Sequence, residues 1–130
     1  MKFTEAFRAL GYELLSPRTD WSAESRSGVC LSIWSKETRR SPDSMAFDTR
    51  VDASPIELWG HKPGNKRRIR HLERVLAEFG GAIDVVMVTG TPGGSYETAT
   101  PWVPKERRGA KWSITFFDHK TGHFSAEARA

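Results

Sequence analysis

The stretch NKRRIRHLERVLAEFGGAIDVVMV, residues 65–88, decides the fold. Apolar residues recur at helical spacing in its first part, at Ile69, Leu72, Val75, Leu76 and Phe79. This pattern predicts an amphipathic helix from about Asn65 to Phe79, with Asn65 as its N-cap and Gly80-Gly81 as its end. Residues 83–88 are apolar except for Asp84, which is typical of a central strand covered on both faces. The stretch therefore predicts a long helix packed on the sheet that contains this strand.

The rest of the chain supplies one more helix and further strands. Residues 3–10 show a short amphipathic pattern that ends at Gly11. Alternating apolar residues predict strands at 29–34, 47–51, 56–59, 112–117 and 124–128. The last two are joined by turn residues, which indicates a hairpin. The polar or Pro- and Gly-rich connections, above all 16–28, 36–45 and 90–110, are expected to be loops.

These elements place the chain in the α+β class. We expect residues 1–130 to form a single domain, because the length suits one domain and no linker or repeat divides it. The expected architecture is one mixed or antiparallel sheet of about five strands. The long basic helix packs on this sheet, and a short helix lies at the N-terminus.

The composition narrows the class of protein further. The chain has 130 residues with a net charge of +4, and its single cysteine, Cys30, excludes an internal disulfide. The longest apolar run, residues 85–88, is far too short to span a bilayer. Glu5 and Arg8 interrupt the apolar N-terminal stretch, unlike in a signal peptide. We therefore expect a cytoplasmic protein with no membrane partner, and the sequence predicts no cofactor and no metal site.

The basic charge is concentrated on the long helix. Residues 61–74 hold six Lys or Arg and one Glu, so the rest of the chain is close to neutral. Cations in the first turn of a helix oppose its dipole by roughly 0.3–1 kcal/mol each. A helix N-terminus with added cations suits a phosphate, and a plain solvated face is the alternative. The predicted phosphate contacts are Lys66, Arg67, Arg70 and Arg74, with Lys62 in the preceding loop.

Five Trp residues are many for a chain of this size. Trp21 and Trp102 lie in predicted loops, and Trp59 lies on the strand face opposite Ile56 and Leu58. Flat rings stack on nucleobases and contribute about 1–3 kcal/mol per base. These three Trp residues are therefore the candidates for base stacking. The alternative is that each ring belongs to the core or pins a loop to it.

Two other functions remain open on the residues alone. Asp118-His119-Lys120 contains the Asp-x-Lys spacing of a metal-dependent nuclease core, with Asp84 as an upstream carboxylate. A small nuclease that uses Asp84, Asp118 and Lys120 is thus the first alternative. The second is a protein-interaction accessory of a defence or phage system, whose basic helix meets an acidic partner. The favoured hypothesis is a binding module, and it assigns no catalytic residue.

Residues 56–88 resemble the corresponding region of the N-terminal DNA-reading domains of HNH-type modification-dependent restriction endonucleases. The matching features are Trp59-Gly60, Asn65-Lys66 and the apolar strand 83–88. The resemblance implies a role in reading methylated cytosine in duplex DNA. It also implies a separate protein partner for cleavage, because this chain carries no HNH part. The sequence as a whole predicts a nucleic-acid-binding module, for DNA, with a modified or flipped base as its target.

Overall fold

The computed structural model describes residues 1–50, 59–92 and 95–130. The described helices are α1, Phe3–Ala9, and α2, Pro63–Glu78. The strands are β1 Ser22–Ser25, β2 Gly28–Trp34, β3 Thr38–Ser41, β4 Ser44–Asp48, β5 Ala82–Gly90, β6 Tyr96–Pro101, β7 Lys111–Phe117 and β8 Phe124–Arg129. Short 3₁₀ turns span Ser35–Glu37 and Pro104–Arg107.

Helix α2 begins earlier than the sequence pattern predicts. Lys62 is the N-cap and Pro63 is the first helical residue, a position for which the fixed φ of proline is suited. The prediction of Asn65 as the N-cap is therefore wrong, and Asn65 is fully buried inside the first turn. The predicted end is confirmed: Phe79 is the C-cap, and Gly80 and Gly81 follow with φ of 60° and 91°, which glycine adopts without strain.

Strand β5 is the centre of the sheet. It pairs in parallel with β2, from Cys30 opposite Asp84 to Trp34 opposite Val88. Its other edge is divided between two antiparallel partners, with β7 along its first residues and β6 along its last ones. The strand order runs β1-β2-β5-β7-β8-β4-β3, with β6 beside β5. The described residues therefore form a mixed α+β structure with one sheet of eight strands, and the expected number of about five is wrong.

The missing strands lie in segments that the sequence pattern assigns to loops. Strands β1, β3 and β6 fall inside the predicted loops 16–28, 36–45 and 90–110. Their sequences are SAES, TRRS and YETATP, which lack a run of apolar residues. They form because each pairs with a stronger neighbour, namely β2, β4 and β5. Strand β4 overlaps the predicted strand 47–51 only at residues 47 and 48, and a turn follows at Thr49 and Arg50. Of the predicted strand 56–59, residues 56–58 lie outside the described residues, and Trp59 is helical, so the strand prediction is wrong there.

The sheet has a hydrophobic layer on each face. On the α2 side, Leu72 and Val75 of the helix pack against residues of β2 and β5 that include Leu31 and Val85. On the α1 side, Phe7 packs with Val86 and Cys30. The helix stripe differs from the predicted one, because Leu76 is 45% exposed whereas Arg68 and His71 are buried. Within the described residues, no helix is long and apolar enough to cross a membrane.

Candidate nucleic-acid interface

A cavity of about 740 Å³ lies where the parallel strands β2 and β5 end, beside the start of α2. Ser32 and Trp34 from the end of β2 and Val88 from β5 line it, and α2 contributes Arg68. In open α/β sheets, ligands commonly bind beyond the carboxyl ends of parallel strands. The volume falls in the range of small-molecule pockets, about 300–1,000 Å³. This cavity is the candidate binding pocket.

Aromatic rings dominate the lining of the pocket. Trp21 and Trp59 lie with their ring centroids 6.3 Å apart, and Phe3 and Tyr96 form a second pair at 5.6 Å. Trp34 and Phe47 are the other two of the six aromatic residues in the lining. Two of the three predicted stacking residues, Trp21 and Trp59, are thus brought together in one pocket. The rings come from segments that are distant in the sequence, which is why their grouping was not visible there.

The Trp21 ring rests on the backbone of α2. A side-chain carbon at Gly64 would lie 2.7 Å from Cε2 of Trp21 and would overlap the carbonyl oxygen of Thr19. Such a distance is well inside van der Waals contact, so the ring packs where only a glycine leaves room. Gly64 is thus the residue that allows the loop 16–21 to lie against the first turn of the helix.

Arg68 lies among these rings. Its Cζ is 4.8 Å from the ring centroid of Trp21, 5.0 Å from that of Phe124 and 5.7 Å from that of Trp59. These distances are within the range of cation–π attraction, about 6 Å. Burial lowers the pKa of Arg68 to about 10, and the nearby charge of Glu37 opposes this shift. Glu37 is itself buried and lines the same cavity, so an arginine and a carboxylate both belong to the pocket.

Apart from the buried Arg68, the Lys and Arg residues of α2 and its N-cap fall into two groups. Arg67 is ion-paired with buried Asp20 at 3.1 Å, and Arg74 is paired with Glu24 at 2.7 Å and Glu78 at 2.5 Å. By contrast, Lys62, Lys66 and Arg70 are exposed and form no ion pair within the described part of the chain. Their spacing of four residues aligns them along one side of the helix. We call Lys62, Lys66 and Arg70 the basic line.

Trp102, the third predicted stacking residue, lies elsewhere. It is 6% exposed and packs edge-to-face on Trp112 with 5.4 Å between the ring centroids. Its indole Nε1 donates to the carbonyl oxygen of Ala110 at 2.9 Å, and Arg107 covers its ring at 4.6 Å. It borders a smaller cavity of about 350 Å³ at the other end of β2 and β5. Trp102 is thus a core residue that holds the 3₁₀ turn Pro104–Arg107 against the sheet.

A Ser–His–Glu constellation joins α2 to β1, in which Ser22 and His71 are buried and Glu24 is exposed. No pattern in the sequence indicates it. The hydroxyl of Ser22 lies 2.6 Å from Nδ1 of His71, and Nε2 of His71 lies 3.2 Å from the carboxylate of Glu24. Because a carboxylate only accepts, the neutral ring carries its proton on Nε2, and Ser22 donates to Nδ1. Ser22 is 0% exposed, so no substrate reaches its oxygen. The constellation holds the helix on the sheet.

The residues of the nuclease alternative are not brought together. The hydroxyl of Tyr12 donates to Asp84 at 2.5 Å, whereas Asp118 accepts from the backbone N–H of Lys120 in the β7–β8 turn. The pairing of Ile83 with Trp112 puts Asp84 beside Lys111, seven positions before Asp118 on β7. At about 3.3 Å per residue, the two carboxylates are on the order of 20 Å apart. In the ranges that the structure describes, no three His, Cys, Asp or Glu side chains form a group that could hold a metal ion.

No family model, curated protein or solved structure matches this chain. Function is therefore inferred from the site. Its essential features are an aromatic pocket with a buried arginine and an exposed basic line on the same helix. The basic line was visible in the sequence as a charge excess, and the pocket was visible only as an unusual number of Trp residues.

Proposed function

We propose that the protein is a nucleic-acid-binding module that contacts the phosphates of duplex DNA through the basic line and takes an unpaired or flipped base into the aromatic pocket. One observation carries the proposal above all. Lys62 lines the pocket and is also the first residue of the basic line, so the two surfaces are continuous. Phosphate contacts position a protein on DNA, whereas selectivity needs groups that touch a base. In this chain the basic line and the aromatic pocket lie side by side.

The chemistry of the pocket suits a base that has left the stack. A flipped base loses stacking and pairing energy of a few kcal/mol, and enclosure between flat side chains offsets that loss. Trp21, Trp59 and Trp34 provide such surfaces, and the buried polar groups of the lining provide hydrogen-bond partners. The resemblance of residues 56–88 to modification-dependent endonuclease domains adds methylated cytosine as the base to test first. Under this proposal a separate protein supplies any cleavage, and the location is cytoplasmic.

The proposal is tested with three labelled DNA probes of one sequence: a paired duplex, the same duplex with one mismatched position, and a duplex with one methylated cytosine. Fluorescence anisotropy is recorded in EDTA over a range of salt concentrations. We expect binding without metal, a steep salt dependence, and tighter binding to the duplex whose base is easier to extrude. The absence of any binding at low salt would reject the proposal, and cleavage on addition of Mg²⁺ would favour the nuclease alternative.

A further inference from the structure

Arg68 is an incompletely satisfied buried cation. It is 7% exposed, and Nη2 donates to Oδ1 of Asn65 over a long distance of 3.3 Å. Nε is sealed from solvent and has no hydrogen-bond partner in the described part of the chain. A guanidinium group has five N–H donors, and a buried donor without an acceptor is costly. Because Nε is closed to any ligand, an acceptor on a ligand in the cavity would meet the terminal nitrogens of the guanidinium, whose side chain lines that cavity.

The surroundings of Arg68 hold it in place but leave its Nε without an acceptor. The side-chain amide of Asn65 donates to the carbonyl oxygens of Gly60 and Thr121, both at 3.0 Å, so Asn65 is anchored from two sides. At Gly122 a side chain would overlap the Asn65 amide, and the φ of 89° there also favours glycine. Three aromatic rings then surround the guanidinium, with Cζ 4.8, 5.0 and 5.7 Å from their centroids. The arginine is thus oriented before any ligand arrives.

We propose that Arg68 is the specificity-determining residue of the pocket, where it donates to a carbonyl oxygen or ring nitrogen on the edge of the inserted base. This inference rests on the proposed function and names the class of ligand, which is a planar heterocycle with an acceptor on the edge that enters. An apolar aromatic ring of the same size stacks equally well but leaves the guanidinium unsatisfied. The pocket therefore selects nucleobases for their polar edge as well as for their flat faces.

The inference is tested with a duplex that carries one variable position opposite a mismatched base. The tightest-bound of the four natural bases is compared with an apolar ring of its size, 2,4-difluorotoluene for a pyrimidine or 4-methylbenzimidazole for a purine. We expect wild type to bind the natural base about tenfold or more tightly, as good side-chain contacts to a base edge discriminate. Arg68→Met removes the donors, and Arg68→Lys keeps the charge but loses the planar fork. Arg68→Met should bind the two duplexes equally and Arg68→Lys should keep only part of the preference, while the salt-dependent binding of both variants persists.

The controls separate this inference from the proposed function. Arg129→Lys alters an exposed arginine of β8 and should keep the wild-type preference. Thermal melting shows whether each variant is folded, and Arg68→Lys provides the comparison if Arg68→Met does not fold. Equal wild-type affinity for the natural base and the apolar ring would overturn the role of Arg68 even where DNA binding holds. A wild-type preference that both Arg68 variants retain would also overturn it. Failure of wild type to bind any duplex would reject the proposed function, and the inference with it.

Discussion

The guanidinium of Arg68 lies over the ring of Trp21, with 4.8 Å between Cζ and the ring centroid. Both residues line the pocket, and Trp21 also packs on Gly64, one turn before Arg68 on the same helix. The first half of α2 is therefore docked through a cation and an aromatic ring, whereas its second half is docked through Leu72 and Val75. The packing that holds this end of the helix also shapes the wall of the pocket.

The first prediction concerns Gly64. In Gly64→Ala the added carbon meets the Trp21 ring and the Thr19 carbonyl, so the ring must move. We expect a loss of about 1–3 kcal/mol in the free energy of unfolding, as is usual for overpacking, together with weaker preference for the mismatched duplex. Urea denaturation followed by Trp fluorescence measures the first effect. Lys66→Ala, an exposed change on the same helix, is the control and should stay within about 0.5 kcal/mol.

The second prediction separates the two faces of α2. Leu72 is fully buried, so Leu72→Ala leaves a cavity and should cost about 2–5 kcal/mol in the free energy of unfolding. Leu76 is 45% exposed, and Leu76→Ala should cost less than about 1 kcal/mol. The substitution is identical in chemistry, so chemical denaturation of the pair compares burial alone. Similar losses in both variants would mean that the helix presents a different face to the sheet.

These two helix positions show where the sequence is informative and where it is not. Periodicity predicts α2, the central strand β5 and the β7–β8 hairpin, because the spacing of their own apolar residues matches a helix or a strand. The polar strands β1, β3 and β6 depend on partners, so their own residues carry little signal. The apolar pattern also predicts Leu76, and not Arg68, on the buried stripe of α2, because the contacts that bury Arg68 depend on other segments. A buried arginine is stabilised by rings that are distant in sequence, and hydropathy does not reveal them.

The third prediction concerns pH. Burial lowers the pKa of His71 below its usual value of 6.5. The unfolded chain therefore takes up a proton near pH 6.5 that the folded chain does not yet bind, so stability is complete above this pH and is lost as the pH falls below it. Protonation would also turn Nδ1 of His71 into a donor, so the Ser22 hydroxyl would have to rotate and accept from it. We expect the urea midpoint to fall between about pH 7.5 and pH 5.5.

His71→Gln isolates this contribution. The variant should be less stable at about pH 7.5, because the contacts with Ser22 and Glu24 are lost, but it should lose less stability on acidification. Burial also lowers the pKa of His123, so some pH dependence remains in the variant. The pKa values of Asp48 and Asp118 lie below 3.8, which keeps their titration outside this range. Parallel profiles for wild type and His71→Gln would show that His71 is not the group responsible.

The fourth prediction distinguishes the two groups of cations on α2. Each phosphate that is neutralised on duplex DNA contributes about 0.9 to the slope of log K against log salt. Replacement of the basic line (Lys62, Lys66 and Arg70) by Ala should therefore flatten the slope by roughly 2–3 units. Arg67 and Arg74 are ion-paired within the protein, so their double Ala variant should change the slope by less than about one unit and lower the stability instead. The same change in slope for both variants would contradict this division.

The last prediction compares two Trp residues that the sequence could not tell apart. Trp59 lies in the pocket beside Trp21, whereas Trp102 packs on Trp112 in the core. Trp59→Leu keeps apolar bulk but removes the flat surface on which a base stacks, so it should abolish the preference for the mismatched duplex with little change in melting temperature. Trp102→Leu loses the edge-to-face packing and the hydrogen bond to Ala110, so it should lower the melting temperature while the folded protein keeps its preference.

Anisotropy with the paired and mismatched duplexes, at one salt concentration and below both melting transitions, measures the preference. If Trp102→Leu removes the preference and Trp59→Leu keeps it, the base enters at the other end of β2 and β5, and the pocket beside α2 is not the binding site.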